Sequence, residues 1–123
     1  MQLAHLMVFV TDLDEARRFY GEILGFPLKQ ATDTMLVFEH AQADLVAFAC
    51  ENPAGFDDYS TAARSAFVFR VPSLDTSMRE LRTRGVRFLH DTPAEGPLGR
   101  YAAFVDTCGN VHELCEEKAC ESR

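Results

Sequence analysis

The stretch HLMVFVTDLDEARRFYGEILG (residues 5–25) decides the fold, because it joins a strand to an amphipathic helix. Bulky apolar residues fill most of its first six positions, a pattern typical of a buried strand. Asp12 then offers an N-cap with Glu15 three places later, and apolar residues recur at helical spacing as far as Ile23. Gly25 is suited to end the helix in the left-handed conformation.

The same order of elements returns about 61 residues later. The segment SAFVFRV (65–71) predicts a second strand, and PSLDTSMRELRTRG (72–85) predicts a second helix that ends at a glycine. A shift of 61 places Leu13 on Leu74, and a shift of 65 near the ends of the halves places Cys50 on Cys115. Three more strands are predicted after each helix. The two halves therefore have the same order of elements, which indicates an internal repeat.

We therefore predict an α+β fold of two βαβββ modules, which form a curved, mostly antiparallel sheet with the helices on its outer face. The chain is expected to be one domain over residues 1–123, with modules at 1–51 and 66–117. Residues 52–65 are the expected linker and 118–123 a tail. Because one helix covers only one face of such a sheet, the concave face is expected to meet the other module or a second subunit and to enclose a cavity.

Composition limits the classes of partner. The 123 residues carry a net charge of -7 and an isoelectric point near 5.0, which argues against nucleic acid and anionic membranes as partners. The apolar start lacks a basic region, and Asp12 interrupts it too early for a signal peptide or a membrane span. The four cysteines form no C-x-x-C pair, so we expect reduced thiols in a cytoplasmic protein.

Two segments carry a resemblance to a known family. Residues 5–28, HLMVFVTDLDEARRFYGEILGFPL, and residues 106–114, DTCGNVHEL, resemble the signatures of the vicinal oxygen chelate superfamily. That superfamily includes glyoxalase I, extradiol dioxygenases, epimerases and the fosfomycin- and bleomycin-resistance proteins. The resemblance covers nearly the whole chain, and it implies paired βαβββ modules and a homodimer.

The resemblance also implies four positions for the ligands of a divalent metal, on the first and last strand of each half. His5 and Glu113 occupy two of them. The superposed repeat gives Ala66 as the mate of His5 and Phe48 as the mate of Glu113, so two expected ligands are absent. A catalytic site needs at least three protein ligands. We expect no cofactor, and any Zn, Ni, Mn or Fe ion would use His5 and Glu113. Three other side chains could complete such a site from a neighbouring strand or a second subunit: His40, His90 and Glu51.

Strand alternation selects the expected lining of the cavity. Neighbours on a strand point to opposite faces, so Glu113 is expected to face the cavity and His112 the helix. Three interpretations of Arg70 stay open: a residue at the rim whose charge extends into water, a clamp for a carboxylate or phosphate of the ligand, or one half of an interface ion pair. The expected ligand-binding residues are His5, Met7, Phe9, Phe48, Val68, Arg70, Tyr101 and Glu113.

This lining favours binding of a small, partly apolar molecule without metal chemistry, as in a sequestering protein of the bleomycin-resistance kind. The alternative is a metal-dependent lyase or dioxygenase acting on a vicinal-oxygen substrate, with Glu113 as the catalytic residue. A metal-free enzyme with His5 and Glu113 as its acid–base pair, and an interaction domain with a vestigial pocket, also stay open. The segment PAEGPLG (93–99) is expected to be either a cover for the pocket or an ordinary connection.

Overall fold

The computed structural model describes residues 1–55, 59–62 and 64–116, and the chain divides into two compact units. The first unit contains residues 1–55 and the turn at 107–110. The second contains the other described residues. The boundary after Gly55 falls inside the predicted linker, and the predicted tail lies outside the described residues.

The first unit is a four-stranded sheet with one helical crossover. Its strands follow the order β1-β4-β3-β2, with β1 parallel to β4 and the other neighbours antiparallel. This is the predicted strand, helix and three strands. The elements are β1 (His5–Val10), α1 (Leu13–Ala16), a π-helical segment (Arg17–Ile23), β2 (Leu28–Ala31), β3 (Met35–Phe38) and β4 (Asp44–Ala49).

The first helix differs from the prediction after one turn. Asp12 caps it as expected, but the chain then widens into the π-helical segment, where the Leu24 N–H donates to the Phe19 carbonyl at 2.9 Å. The neighbouring rings of Phe19 and Tyr20 in this segment are both buried and meet edge-on, with centroids 5.1 Å apart. Gly25, with a φ of +86°, ends the segment as predicted.

The second unit repeats this plan with one strand more. Its sheet follows the order β5-β9-β8-β6, with β7 also paired to β8 and β5 parallel to β9. Both units confirm the predicted α+β class. The elements are β5 (Phe67–Val71), α2 (Leu74–Thr83), β6 (Arg87–Phe88), β7 (Ala94–Gly96), β8 (Gly99–Val105) and β9 (Val111–Glu116).

The additional strand arises from the segment expected to be a loop. Ala94–Gly96 pairs with Gly99 to Tyr101 in a hairpin closed by two residues, and Gly99 has a φ of +114°. A side chain at Gly96 would place its Cβ 3.1 Å from the ring of Tyr101. The glycines therefore serve a tight hairpin and a close ring contact, so this segment is strand and turn rather than an irregular loop.

Each sheet has a face covered by its helix and an opposite face, which we call the first-unit and second-unit open faces. On the covered face of the first unit, the ring of Tyr20 lies 6.0 Å from that of Phe38. The first-unit open face comprises His5, Met7, Phe9, Met35, Val37, Asp44, Val46 and Phe48. The second-unit open face comprises Val68, Arg70, Tyr101, Ala103, Val105, Val111, Glu113 and Cys115.

A buried histidine lies in the covered face of the second unit. The His112 side chain is 2% exposed and stacks on Phe67, with ring centroids 5.1 Å apart, beside the rings of Phe69 and Phe104. Burial lowers the pKa of His112 to about 4, although the nearby Asp106 carboxylate acts in the opposite direction. The imidazole is therefore a neutral component of the core, on the side where the sequence places it.

This burial predicts how stability depends on pH. The unfolded imidazole binds a proton below about pH 6.5, whereas the folded one stays neutral until about pH 4. The free energy of unfolding should therefore fall as the pH drops between these values, by about 3 kcal/mol at most. Denaturant titrations of His112→Leu should lose this part of the dependence. His5→Gln, at an exposed histidine, should behave as wild type, and an equal slope in His112→Leu would contradict the assignment.

Candidate functional site

Glu113 is the carboxylate of the second-unit open face. It pairs with Val68 of β5 on one side and Ala103 of β8 on the other. The hydroxyl of Tyr59 donates to Oε2 of Glu113, and the Tyr59 ring packs against the cluster that contains Ala103 and Val111. Burial raises the pKa of Glu113. The carboxylate thus lies in apolar surroundings with a phenol as its hydrogen-bond donor.

Arg70 adds a positive charge to the same face. It lies two residues after Val68 and pairs with Cys115, so its backbone is about 7 Å from the Val68–Glu113 pair along the strands. Its side chain is exposed, as is that of Val68. The second-unit open face therefore presents a carboxylate and a guanidinium group beside exposed apolar surface.

The histidine at the edge of this face has a structural role. Nδ1 of His90 accepts a hydrogen bond from the Ala103 N–H at 3.0 Å, and its ring meets the Tyr101 ring edge-on at 5.4 Å. On the first unit, Nδ1 of His40 likewise accepts from the Gln42 N–H. In both His90 and His40, which were considered as replacement metal ligands, Nδ1 therefore already accepts a backbone hydrogen bond.

The first-unit open face is mostly apolar. Met7 and Phe9 expose 43% and 53% of their surface, and the Phe48 ring stacks on Phe9 at 6.1 Å. His5, also exposed, begins β1 opposite Asp44. The Asp44 carboxylate lies 2.8 Å from Nζ of Lys29, and this hydrogen bond lowers the pKa of Asp44. The polar end of the face is therefore held by an ion pair.

The predicted ligand-binding residues thus fall into two groups, each gathered on one open face. The first-unit open face carries His5, Met7, Phe9 and Phe48. The second-unit open face carries Val68, Arg70, Tyr101 and Glu113.

The strand registers correct one pair of the repeat. Met7 pairs with Val46 in the first unit, and Val68, its counterpart 61 residues later, pairs with Glu113 in the second. The counterpart of Glu113 is therefore Val46, and the assignment of Phe48 was wrong by two residues. The assignment of Phe48 came from matching the residues around Cys50 to those around Cys115. A match of residue types does not determine the hydrogen-bonding register of the strands. A shift of two residues keeps the same face, so the position remains apolar.

The side chains present do not fit a catalytic divalent-metal site. At the four expected positions, only His5 and Glu113 carry donor atoms, whereas Ala66 and Val46 have none. Within the described ranges, no three His, Cys, Asp or Glu side chains come together to hold an ion. Such a site requires at least three protein ligands.

Tyr59 lies in the predicted linker and was not among the expected site residues. The hydrogen bond to Glu113 joins residues 54 positions apart, and no local pattern indicates it. Only chemistry could have indicated this contact: a half-buried carboxylate requires a hydrogen-bond donor, and the linker contains a tyrosine that can supply one.

Comparison with known proteins identifies the family. The model of the glyoxalase/bleomycin resistance protein/dioxygenase superfamily matches residues 2–114, and the chain belongs to this superfamily. The Bacillus subtilis protein YurT is 29% identical over 129 residues, covering 95% of this chain and all of YurT.

Two solved structures are similar over nearly their whole length. TnmS3, an antibiotic binding protein from Streptomyces sp. CB03234, is 28% identical with a TM-score of 0.68, over 96% of this chain and 99% of TnmS3. The fosfomycin resistance protein FosX from Listeria monocytogenes has a TM-score of 0.76 at 17% identity, over 97% of this chain and 95% of FosX, which shows a shared fold. In the described part of the chain, no helix is long and apolar enough to span a membrane.

The Tyr59–Glu113 contact predicts a change in titration. Replacing Tyr59 with Phe removes a donor that stabilises the charged carboxylate, so the pKa of Glu113 should rise further. Carbon-13 NMR of the glutamate carboxyl groups measures this directly. Tyr101→Phe is the matched control, because Tyr101 pairs with Cys115 and should leave Glu113 as it is. An unchanged pKa in Tyr59→Phe would show that the bond is not formed in solution.

Proposed function

We propose that the protein binds a small, partly apolar molecule on its open faces, without metal chemistry. The observation that carries this proposal is the exposure of large apolar side chains on regular strands. Met7, Phe9 and Val68 expose 43%, 53% and 53% of their surface. Apolar surface with a few convergent polar groups is the usual composition of a ligand site.

The polar groups of the site have distinct roles in this proposal. Arg70 contacts a carboxylate or phosphate of the ligand, since its guanidinium can form two parallel hydrogen bonds. Glu113 accepts a hydrogen bond from the ligand, while Tyr101 contributes a ring at the edge. The first-unit open face, taken by itself, offers a polar contact at His5 and apolar area at Phe48, which is stacked on Phe9.

Sequestration of a toxic compound is the form of binding that we favour. The relative TnmS3 is described as an antibiotic binding protein, and it is similar along almost all of both chains. The net charge of -7 would assist a cationic compound. We further propose a cytoplasmic homodimer, since the cysteines form no C-x-x-C pair and suit a reducing compartment.

The rival is a metal-dependent lyase or dioxygenase in which Glu113 is catalytic. The superfamily description includes such enzymes. That chemistry needs a metal held by three or more side chains, and the apolar Val46 and Ala66 remove two of the four expected ligands. Binding without a metal requires none of the missing groups, and we prefer it for this reason.

A thermal-shift screen of small drugs and metabolites, followed by NMR mapping of each hit, tests the proposal. Hits should shift the resonances of Val68, Arg70 and Ala103. Val68→Asp should weaken the affinity for each hit at least tenfold, because it places a charge where the ligand buries apolar surface. Leu98→Asp is the control, since Leu98 is 91% exposed on the β7–β8 turn. Equal effects of both variants, or hits that map elsewhere, would contradict the site.

A further inference from the structure

We infer that Tyr59 is a specificity-determining residue, which reserves Glu113 for ligands that carry a cationic hydrogen-bond donor. This inference rests on the proposed function of the second-unit open face. It goes beyond that function by naming the ligand chemistry, an amine or amidine on an apolar body, and the residue that selects it.

The Tyr59 side chain occupies the place that such a ligand would take. Its hydroxyl donates to Oε2 of Glu113, and its ring packs against the cluster of Ala103, Val105 and Val111 on the same face. A molecule that approaches the carboxylate across this surface therefore meets Tyr59 first. Binding to Glu113 requires exchange of the phenol for a donor of the ligand.

Tyr59, rather than Glu113, is the partner that can move. Glu113 lies inside β9, with paired strands on both sides. Tyr59 lies on a turn, and the next residue, Ser60, has a φ of +75°. A left-handed backbone is unfavourable for a serine, so a turn that rearranges to a negative φ at Ser60 would lose this strain. The turn thus holds Tyr59 over the carboxylate at a small energetic disadvantage.

The chemistry of the exchange determines which ligands succeed. A phenol is a neutral donor, whereas an ammonium or amidinium group forms a charge-assisted bond that is about twice as strong. A ligand without a donor would leave the half-buried carboxylate without a hydrogen bond, and this costs more than the contact returns. The arrangement therefore admits cations to Glu113 and rejects neutral isosteres.

Paired NMR titrations at pH 8 with benzamidine and with methyl benzoate, a similar molecule without a donor, test the inference. Removing the competing hydroxyl in Tyr59→Phe should tighten benzamidine binding about tenfold and should also tighten methyl benzoate binding, because neither probe then displaces a hydrogen bond from Glu113. Glu113→Gln should abolish the preference for benzamidine, whereas Glu95→Gln, at an exposed glutamate of β7, should retain it. Ser60→Asn, which tolerates the left-handed backbone, should weaken benzamidine binding a few-fold.

The outcomes separate this inference from the function on which it rests. Both probes binding the open face with the same affinity in wild type and Tyr59→Phe would overturn the role of Tyr59 and leave the binding face intact. No shift of open-face resonances with either probe in any variant would overturn both. If Tyr59→Phe does not fold, the direction of change in Ser60→Asn decides, and tighter benzamidine binding there would overturn the inference.

Discussion

Parallel pairing between the first and last strand of each unit is the constraint on which the rest of the structure depends. β1 lies parallel to β4, and β5 lies parallel to β9. Parallel neighbours cannot be joined by a hairpin, so the chain crosses one face of each sheet, and its helical segment covers that face. Alternation along the strands then assigns every second residue to the covered face and the others to the open face. Every predicted ligand-binding residue lies on an open face for this reason.

The same constraint separates the two polar residues of the sequence VHEL. His112 enters the aromatic core beneath α2 as a neutral imidazole, and Glu113 enters the open face. Adjacent His and Glu therefore do not form a joint metal site. The Glu113 carboxylate instead accepts a hydrogen bond from the hydroxyl of Tyr59, and Arg70 adds a positive charge nearby on the same face. Such a surface suits recognition of a ligand that is apolar in most of its area and polar at a few atoms.

The fold could be predicted from the sequence because its signals are local. The caps at Asp12 and Ser73 and the alternation along each strand depend on residues within a few positions of one another. The predictions that failed depend on contacts between residues that are far apart in the sequence. In the π-helical segment Tyr20 packs against Phe38 of the sheet, and the equivalence of Val46 with Glu113 depends on strand register. Tyr59 was missed because its partner is 54 residues away.

The metal content of the purified, tag-free protein tests the central claim most directly. Plasma mass spectrometry before and after incubation with Zn, Ni, Mn and Fe(II) should find far less than one ion per chain, unchanged in His5→Ala and Glu113→Ala, because two ligands cannot replace the hydration of a divalent ion. Near-stoichiometric metal that disappears in either variant would contradict binding without metal chemistry. It would direct the search towards vicinal-oxygen substrates.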